Sequence, residues 1–244
     1  MTASEPAGGE RQLVAVITGG SQGIGAGLVD GYRRRGWAVV ASARTMKPAA
    51  DPDIVTVEGD ISEPATARAI VDAALGRFGH IDTLVNNAGV YLSKPFTDYT
   101  AHDYAQIVGV NLTGLFWLTQ RAIAEMLSRH GGHVVNIAAT IAEYANSSTP
   151  AVLTALTKGG VAAATRSLAV EYASRGIRVN AVSPGIIQTP MHPPESYEGL
   201  GDSLPPLGHV GQVSDVVGGV LFLEASPFIT GEILHVDGGQ GAGH

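Results

Sequence analysis

A glycine-spaced segment, Thr18-Gly19-Gly20-Ser21-Gln22-Gly23-Ile24-Gly25, follows a short apolar run and opens a stretch with helical spacing. Glycines at these intervals let the chain turn sharply and bring backbone N–H groups against a phosphate, and the start of a helix favours negative charge. Gly19, Ser21, Gln22, Gly23, Ile24 and Gly25 are therefore candidates for holding a pyrophosphate. Glycine-rich turns also join strands to helices in many folds, so the weight comes from the position at the first such junction. His130 and His133 flank Gly131-Gly132 ahead of a strand, which reads as a turn, and their spacing lacks further metal ligands. No metal is expected. Trp37 and Trp117 read as core or interface aromatics.

The elements that must carry this segment alternate between short apolar runs and longer amphipathic stretches, the pattern of parallel βαβ units. The apolar runs are Leu13–Thr18, Ala38–Ser42, Ile54–Glu58, Thr83–Asn86, His133–Ile137, Arg178–Val182 and Ile233–Val236. Most are continuously apolar rather than alternating, as suits strands covered by helices on both faces. The stretches between them predict helices over Ile24–Arg35, Pro64–Phe78, Ala101–Leu127, Pro150–Ser174 and Val213–Leu223. Pro64 and Pro150 stand where a first helical turn tolerates proline, because that turn's N–H groups have no intrahelical partner. The expected fold class is α/β: a single Rossmann-like doubly wound parallel sheet of about seven strands with helices on both faces. Residues 1–11 read as a disordered tail ahead of one nucleotide-binding domain over 12–244, and Met191–Pro206 as a lid or irregular loop.

The chain of 244 residues, with 45% hydrophobic and 15% charged residues, supplies a large buried core. Cysteine is absent, so disulfides and thiolate metal sites are excluded. A formal net charge of -7 argues against non-specific nucleic-acid binding, since phosphates repel an acidic surface. No apolar run reaches membrane-spanning length and no signal-like start is seen, so a cytoplasmic protein without membrane contact is expected.

The motifs then line up over nearly the whole chain with one family. The Gly-rich spacing, Gly59-Asp60-Ile61, Asn86-Asn87-Ala88-Gly89, Asn111 in Val110-Asn111-Leu112-Thr113-Gly114, Arg178 through Gly185, Thr189-Pro190-Met191 and Ile229 through Gly239 occur in one order. In that order the sequence resembles the short-chain dehydrogenase/reductase family. The resemblance implies that Asp60 and Ile61 hold the adenine, that Asn87, Ala88 and Gly89 lie beside the cofactor, and that Pro184, Gly185, Ile187 and Thr189 face the nicotinamide. It also implies Asn111 as a helix-borne active-site residue, a small-molecule substrate, and a homodimer or homotetramer. An NAD-preferring site usually ends its second strand with a carboxylate. Here that position reads Ser42-Ala43-Arg44-Thr45, and Arg44 suits a 2′-phosphate, so NADP(H) is expected over NAD(H).

In the family a Tyr hydroxyl exchanges the proton, a Lys four residues later holds the ribose, and a Ser binds the substrate oxygen. Lys158 matches the Lys, which puts Thr154 at the Tyr position, and no Tyr in the chain precedes any Lys by four. Ala139 stands at the Ser position, with Thr140 adjacent. A Thr hydroxyl is far less acidic than a phenol and shorter, so Thr154 does not simply take over that role. Three readings stay open. One is hydride transfer between nicotinamide and a carbonyl or alcohol, with protons from water ordered by Thr154, Lys158 and Asn111. Another is non-redox chemistry of isomerase or lyase type, with Glu143, Tyr144 or His192 as acid/base groups. The third is NADP(H) binding without catalysis, as a sensor or partner subunit.

Overall fold

Val, Ile and Ala fill the strands without alternation, and the computed structural model, which describes residues 11–145, 149–190 and 205–243, gives each such run a place in one parallel sheet. The strands are β1 (Val14–Thr18), β2 (Ala38–Ala43), β3 (Ile54–Glu58), β4 (Thr83–Asn86), β5 (Gly132–Ile137), β6 (Ile177–Pro184) and β7 (Ile233–Val236). Their order is β3-β2-β1-β4-β5-β6-β7. Register pairs such as Ile17↔Val85 and Val135↔Asn180 tie the centre of the sheet together. The order reverses between β1 and β4, and in open α/β sheets the crevice beyond such a reversal is where ligands bind.

Helices α1 (Gly23–Arg34), α2 (Pro64–Phe78), α3 (Ala101–Val108), α4 (Leu115–Ser128), α5 (Val152–Tyr172) and α6 (Val213–Glu224) cover the two faces. Leu28, Tyr32, Val216 and Val220 of α1 and α6 pack on one side against Ile17 and Val39. On the other side Ile70, Leu118, Met126 and Ala169 pack against Val16, Leu84 and Val134. Burial on both faces is the physical reason the strands read as unbroken apolar runs.

Three expectations need correction. The helix expected over Ala101–Leu127 is interrupted by a π-helical segment, Gly109–Gly114, between α3 and α4. Close packing explains the glycine at its end: a Cβ on Gly114 would come within 2.6 Å of the Ile61 carbonyl oxygen. The helix expected from Pro150 begins at Val152, with Ala151 as its N-cap, so Pro150 precedes the first turn. Pro64 does open α2, which closes on Gly79 with a left-handed φ of 78°. Arg11, read as part of the tail, pairs with Asp82, while residues 1–10 lie outside the described residues. Most of the segment expected to form a lid, 191–204, also lies outside them, as does His192. Among the described residues no helix is long and apolar enough to cross a membrane.

A large polar cluster lies at the opposite end of the sheet from the crevice. Glu224, at the end of α6, accepts hydrogen bonds from Tyr32 (2.7 Å) and Thr83 (2.9 Å) and faces His133 Nδ1 at 3.3 Å. Arg178 lies 3.8 Å from Glu224 and donates to the backbone carbonyls of Leu223, Ser226 and Ile229, which closes the C-terminus of α6. His133, read from sequence as ending a turn and opening the run His133–Ile137, is thus a buried member of strand β5.

Candidate cofactor-binding and active site

The loop after β1 turns through Gly19 and Gly23, both with left-handed φ (68° and 54°). Two close approaches demand its glycines. A Cβ on Gly19 would stand 2.8 Å from Asn87 Nδ2, and one on Gly25 would overlap the Gly19 carbonyl oxygen. Helix α1 then begins with Gln22 as an extended N-cap whose side chain makes no capping bond, and its first turn carries no acidic residue. The N–H groups of that turn remain turned toward the crevice with no carboxylate to compete, which suits an anion.

Behind the loop, Thr18 Oγ1 accepts from the backbone N–H groups of Asn87 (3.0 Å) and Ala88 (2.9 Å), and Asn87 Nδ2 donates to the Thr18 carbonyl at 2.8 Å. These bonds lock the ends of β1 and β4 together at the reversal point. Beneath them Asn86 donates to Thr119 (2.8 Å) and Asn136 (2.9 Å), and Asn136 donates to Thr165 (2.8 Å). A fully satisfied buried network of this kind fixes the floor of the crevice.

The resulting cleft has a volume of about 990 Å³. It collects Gly19, Ser21, Gln22, Gly23, Ile24 and Gly25 from the first loop, Arg44 from the end of β2, and Asp60 and Ile61 after β3. Asn87, Ala88 and Gly89 after β4, Thr140 after β5, Thr154 and Lys158 of α5, and Pro184, Gly185, Ile187 and Thr189 after β6 complete the predicted set. Thr189 reaches across the cleft, since a Cβ on Gly23 would touch its Cβ at 3.4 Å. Arg44 is exposed and makes no ion pair among the described residues. Asp60 Oδ1 accepts from Ser62 Oγ (2.7 Å) and Ser62 N (2.9 Å), which holds its carboxyl below the usual range.

Asn111 does not line the cleft directly. From the π-helical segment its Oδ1 accepts from Val90 N (2.9 Å), while Nδ2 donates to the Val90 carbonyl (3.1 Å) and Thr157 Oγ1 (3.1 Å). It thereby fixes the strand exit at Gly89, where an added Cβ would lie 3.2 Å from Lys158 Nζ and 3.5 Å from Asn111 Oδ1. Lys158 is buried, and its ammonium donates to the Ile137 carbonyl at 2.6 Å. Burial without a carboxylate partner lowers its pKa to about 8. Thr154 lies one turn earlier on α5, buried, with Oγ1 accepting weakly from Leu92 N at 3.4 Å.

Thr140 is buried next to Ala139, and its hydroxyl donates to Asp237 Oδ2 at 3.1 Å. That proton is committed to the C-terminal turn, so Thr140 offers a substrate at most a lone pair. Glu143 pairs with His235 at 3.1 Å, and Tyr144 lines the cleft. Sequence reasoning did not single out Tyr91, Ile141 and Gln240, which also form the cleft wall. Tyr91 stands two residues beyond the Asn-Asn-Ala-Gly segment, a signal that was legible, whereas nothing local marks Gln240.

Comparison with known proteins accounts for this arrangement. Residues 19–240 match the family described as enoyl-(acyl carrier protein) reductase. The chain is 33% identical to 3beta-hydroxysteroid dehydrogenase 1 of Eggerthella lenta, with 92% of each chain covered. It superposes on 3-ketoacyl-(acyl-carrier-protein) reductase of Brucella melitensis complexed with NADH, with a TM-score of 0.86 and 31% identity, covering 94% of this chain and 98% of that one. ElxO with NADP bound gives a TM-score of 0.86 at 28% identity, covering 95% and 100%. The nucleotide loop from Gly19, the segment after β4 and the buried lysine all lie within residues 19–240, and the chain belongs to the short-chain dehydrogenase/reductase family of oxidoreductases.

Proposed function

We propose that the protein is an NADP(H)-dependent oxidoreductase that transfers hydride between nicotinamide and a carbonyl or alcohol substrate through a non-standard active site. The observation that carries this reading is Lys158, a buried amine in the cleft wall with a pKa of about 8 and no carboxylate to neutralise it. Nicotinamide, when bound, supplies or accepts the hydride. The first loop and α1 would hold the nucleotide's phosphates, Asp60 and Ile61 its adenine, and Arg44 the 2′-phosphate that distinguishes NADP(H). Asn87, Ala88, Gly89, Pro184, Gly185, Ile187 and Thr189 would flank the ribose and nicotinamide, and Lys158 would hold the ribose.

The proton is the step that the missing phenol leaves open. A group titrating near 8 holds and releases a proton readily around neutral pH, which suits exchange with a water molecule set between Lys158 and Thr154. Asn111 acts as a positioning residue, because its two bonds to Val90 fix the backbone that faces Lys158. Ala139 leaves room where a hydroxyl is expected, so orientation of the substrate falls to the remaining wall. The redox reading is favoured over isomerase or lyase chemistry because Glu143 is engaged with His235. We further propose one folded domain that is cytoplasmic and self-associates as a homodimer or homotetramer.

NADPH carrying deuterium on its nicotinamide ring, incubated with the protein and a metabolite extract, tests the reading. Labelled product is expected from the unmodified protein and none from Lys158→Ala. NADPH binding without any transfer of label refutes hydride transfer, and equal label from both proteins refutes the role of Lys158.

A further inference from the structure

Gln240 presents an acceptor with nothing to accept. Its carboxamide Oε1 is buried and has no hydrogen-bond partner, yet the residue stands in the wall of the cleft with Thr140, Gly185 and Ile186. A Cβ on Gly185 would come within 2.9 Å of this oxygen, so the backbone after β6 packs directly against it. The side chain is delivered there by a rigid turn. Gly238 and Gly239 take left-handed φ values of 64° and 91°, and Asp237 accepts from Gly239 N (2.9 Å), Gly241 N (2.7 Å) and the Thr140 hydroxyl (3.1 Å). A buried polar atom left unpaired is costly, and native folds keep few of them without a use.

We propose that Gln240 is a specificity-determining residue whose carboxamide oxygen accepts a hydrogen bond from a hydroxyl or N–H group that the substrate carries in addition to its reacting carbonyl. This rests on the redox reading above. A carbonyl oxygen has no proton to donate, so the group that meets Gln240 is a second functional group. The Asp237 carboxylate, anchored in the same turn, repels an anionic substituent. The substrate class is therefore a neutral hydroxy- or amido-carbonyl compound, with the donor lying on the side of Thr140 and the C-terminal turn. A site built to receive a donor rejects the analogue that lacks it, because the acceptor is then left unpaired.

The test uses deuterium-labelled NADPH and a metabolite extract with the unmodified protein and with Gln240→Met, which conserves length but removes the oxygen. NADPH affinity is followed by fluorescence titration. Labelled products from the unmodified protein are expected to carry a second hydroxyl or N–H. For the principal product, kcat/KM of its carbonyl precursor is expected to fall about tenfold in Gln240→Met, mainly through KM, with little change for the analogue lacking the second donor. Labelled products without such a donor, or an unchanged ratio between the paired substrates, overturn the role of Gln240 while the redox reading stands. If NADPH binds and no label moves, the redox reading falls and this contact falls with it.

Discussion

Replacing Glu224 by Ala removes a carboxylate that organises four side chains from four elements. Tyr32 of α1 and Thr83 of β4 donate to it at 2.7 and 2.9 Å, and His133 of β5 and Arg178 of β6 face it at 3.3 and 3.8 Å. Burial works against its charge, but the His133 contact and the hydrogen bonds from Tyr32 and Thr83 hold its pKa below the ordinary range. The His133 contact is an electrostatic one rather than an aligned hydrogen bond, since Nδ1 meets no bonding geometry. Each hydrogen bond to a charged group contributes about 1.5–3 kcal/mol net, and the variant also strands the fully buried Tyr32 hydroxyl. The expected loss is about 3–5 kcal/mol, against a typical total of about 5–15 kcal/mol. Urea unfolding at pH 7.5 and fixed protein concentration measures it. Adding Tyr32→Phe to the variant removes the stranded hydroxyl and is expected to recover about 1–2 kcal/mol relative to additivity. A loss below about 1 kcal/mol, or strict additivity of the two changes, refutes the reasoning.

His133 gives the same cluster a pH signature. Burial first, and the Arg178 charge, push its pKa down against the pull of Glu224. Its Nε2 faces the donors Asn180 Nδ2 (3.1 Å) and Arg178 Nη1 (3.4 Å), so a second ring proton has no acceptor. Below 6.5, the ordinary histidine value, the unfolded chain binds a proton that the folded one refuses. Stability is therefore undiminished by this group above that pH and falls by up to about 1.4 kcal/mol per unit below it, until the lowered folded pKa is passed. His133→Asn is expected to flatten that acid limb, as read by unfolding curves across the range. Gly25→Ala is expected to abolish NADPH binding in a fluorescence titration, because its Cβ overlaps the Gly19 carbonyl and crowds Asn87 Nδ2 at 2.6 Å. For Lys158 the folded pKa lies at about 8 against 10.5 for the free side chain, so the buried charge destabilises most below 8 and the penalty is relieved toward 10.5. Lys158→Met is expected to raise thermal stability at pH 7 by about 1–2 kcal/mol and to remove the rise in stability above pH 8. Arg44→Ala is expected to weaken NADPH by about tenfold and leave NADH nearly unchanged in equilibrium titrations. An equal loss for both nucleotides refutes the 2′-phosphate assignment.

The sheet was legible because parallel strands buried on both faces announce themselves as unbroken apolar runs, and runs such as Ile54–Glu58 and Thr83–Asn86 needed no change of bounds. The nucleotide loop was legible because glycine spacing records where a backbone has to approach another. The π-helical segment was not, since Val108 to Leu115 contains no proline and keeps a helical apolar pattern. The two flanking glycines, Gly109 and Gly114, were the available hint. Gln240 and the Glu224 cluster were illegible for a different reason. Their neighbours, Gly185 and Thr140 in one case and Tyr32 and His133 in the other, are brought together only by the order of strands in the sheet. Thr140 shows the converse. Its place beside Ala139 is plain in the sequence, but where its hydroxyl points depends on Asp237, far along the chain.

The π-helical segment has a consequence for how much this chain tolerates in length. A widened turn holds about one residue more than an α-helical one, so it behaves as a surplus residue stored between α3 and α4. Deleting one residue from Gly109–Gly114 lets the helix close with its phase kept, whereas drawing all of the segment into regular α-helical turns rotates everything upstream by about 100° relative to α4. The face of α3 that now buries Ile107 would turn away from the fold, and the side chain at position 111 would no longer meet Val90. Two helices that look continuous in sequence are thus angularly uncoupled. The single-residue surplus that sets their phase is the one that carries Asn111 to the Val90 backbone.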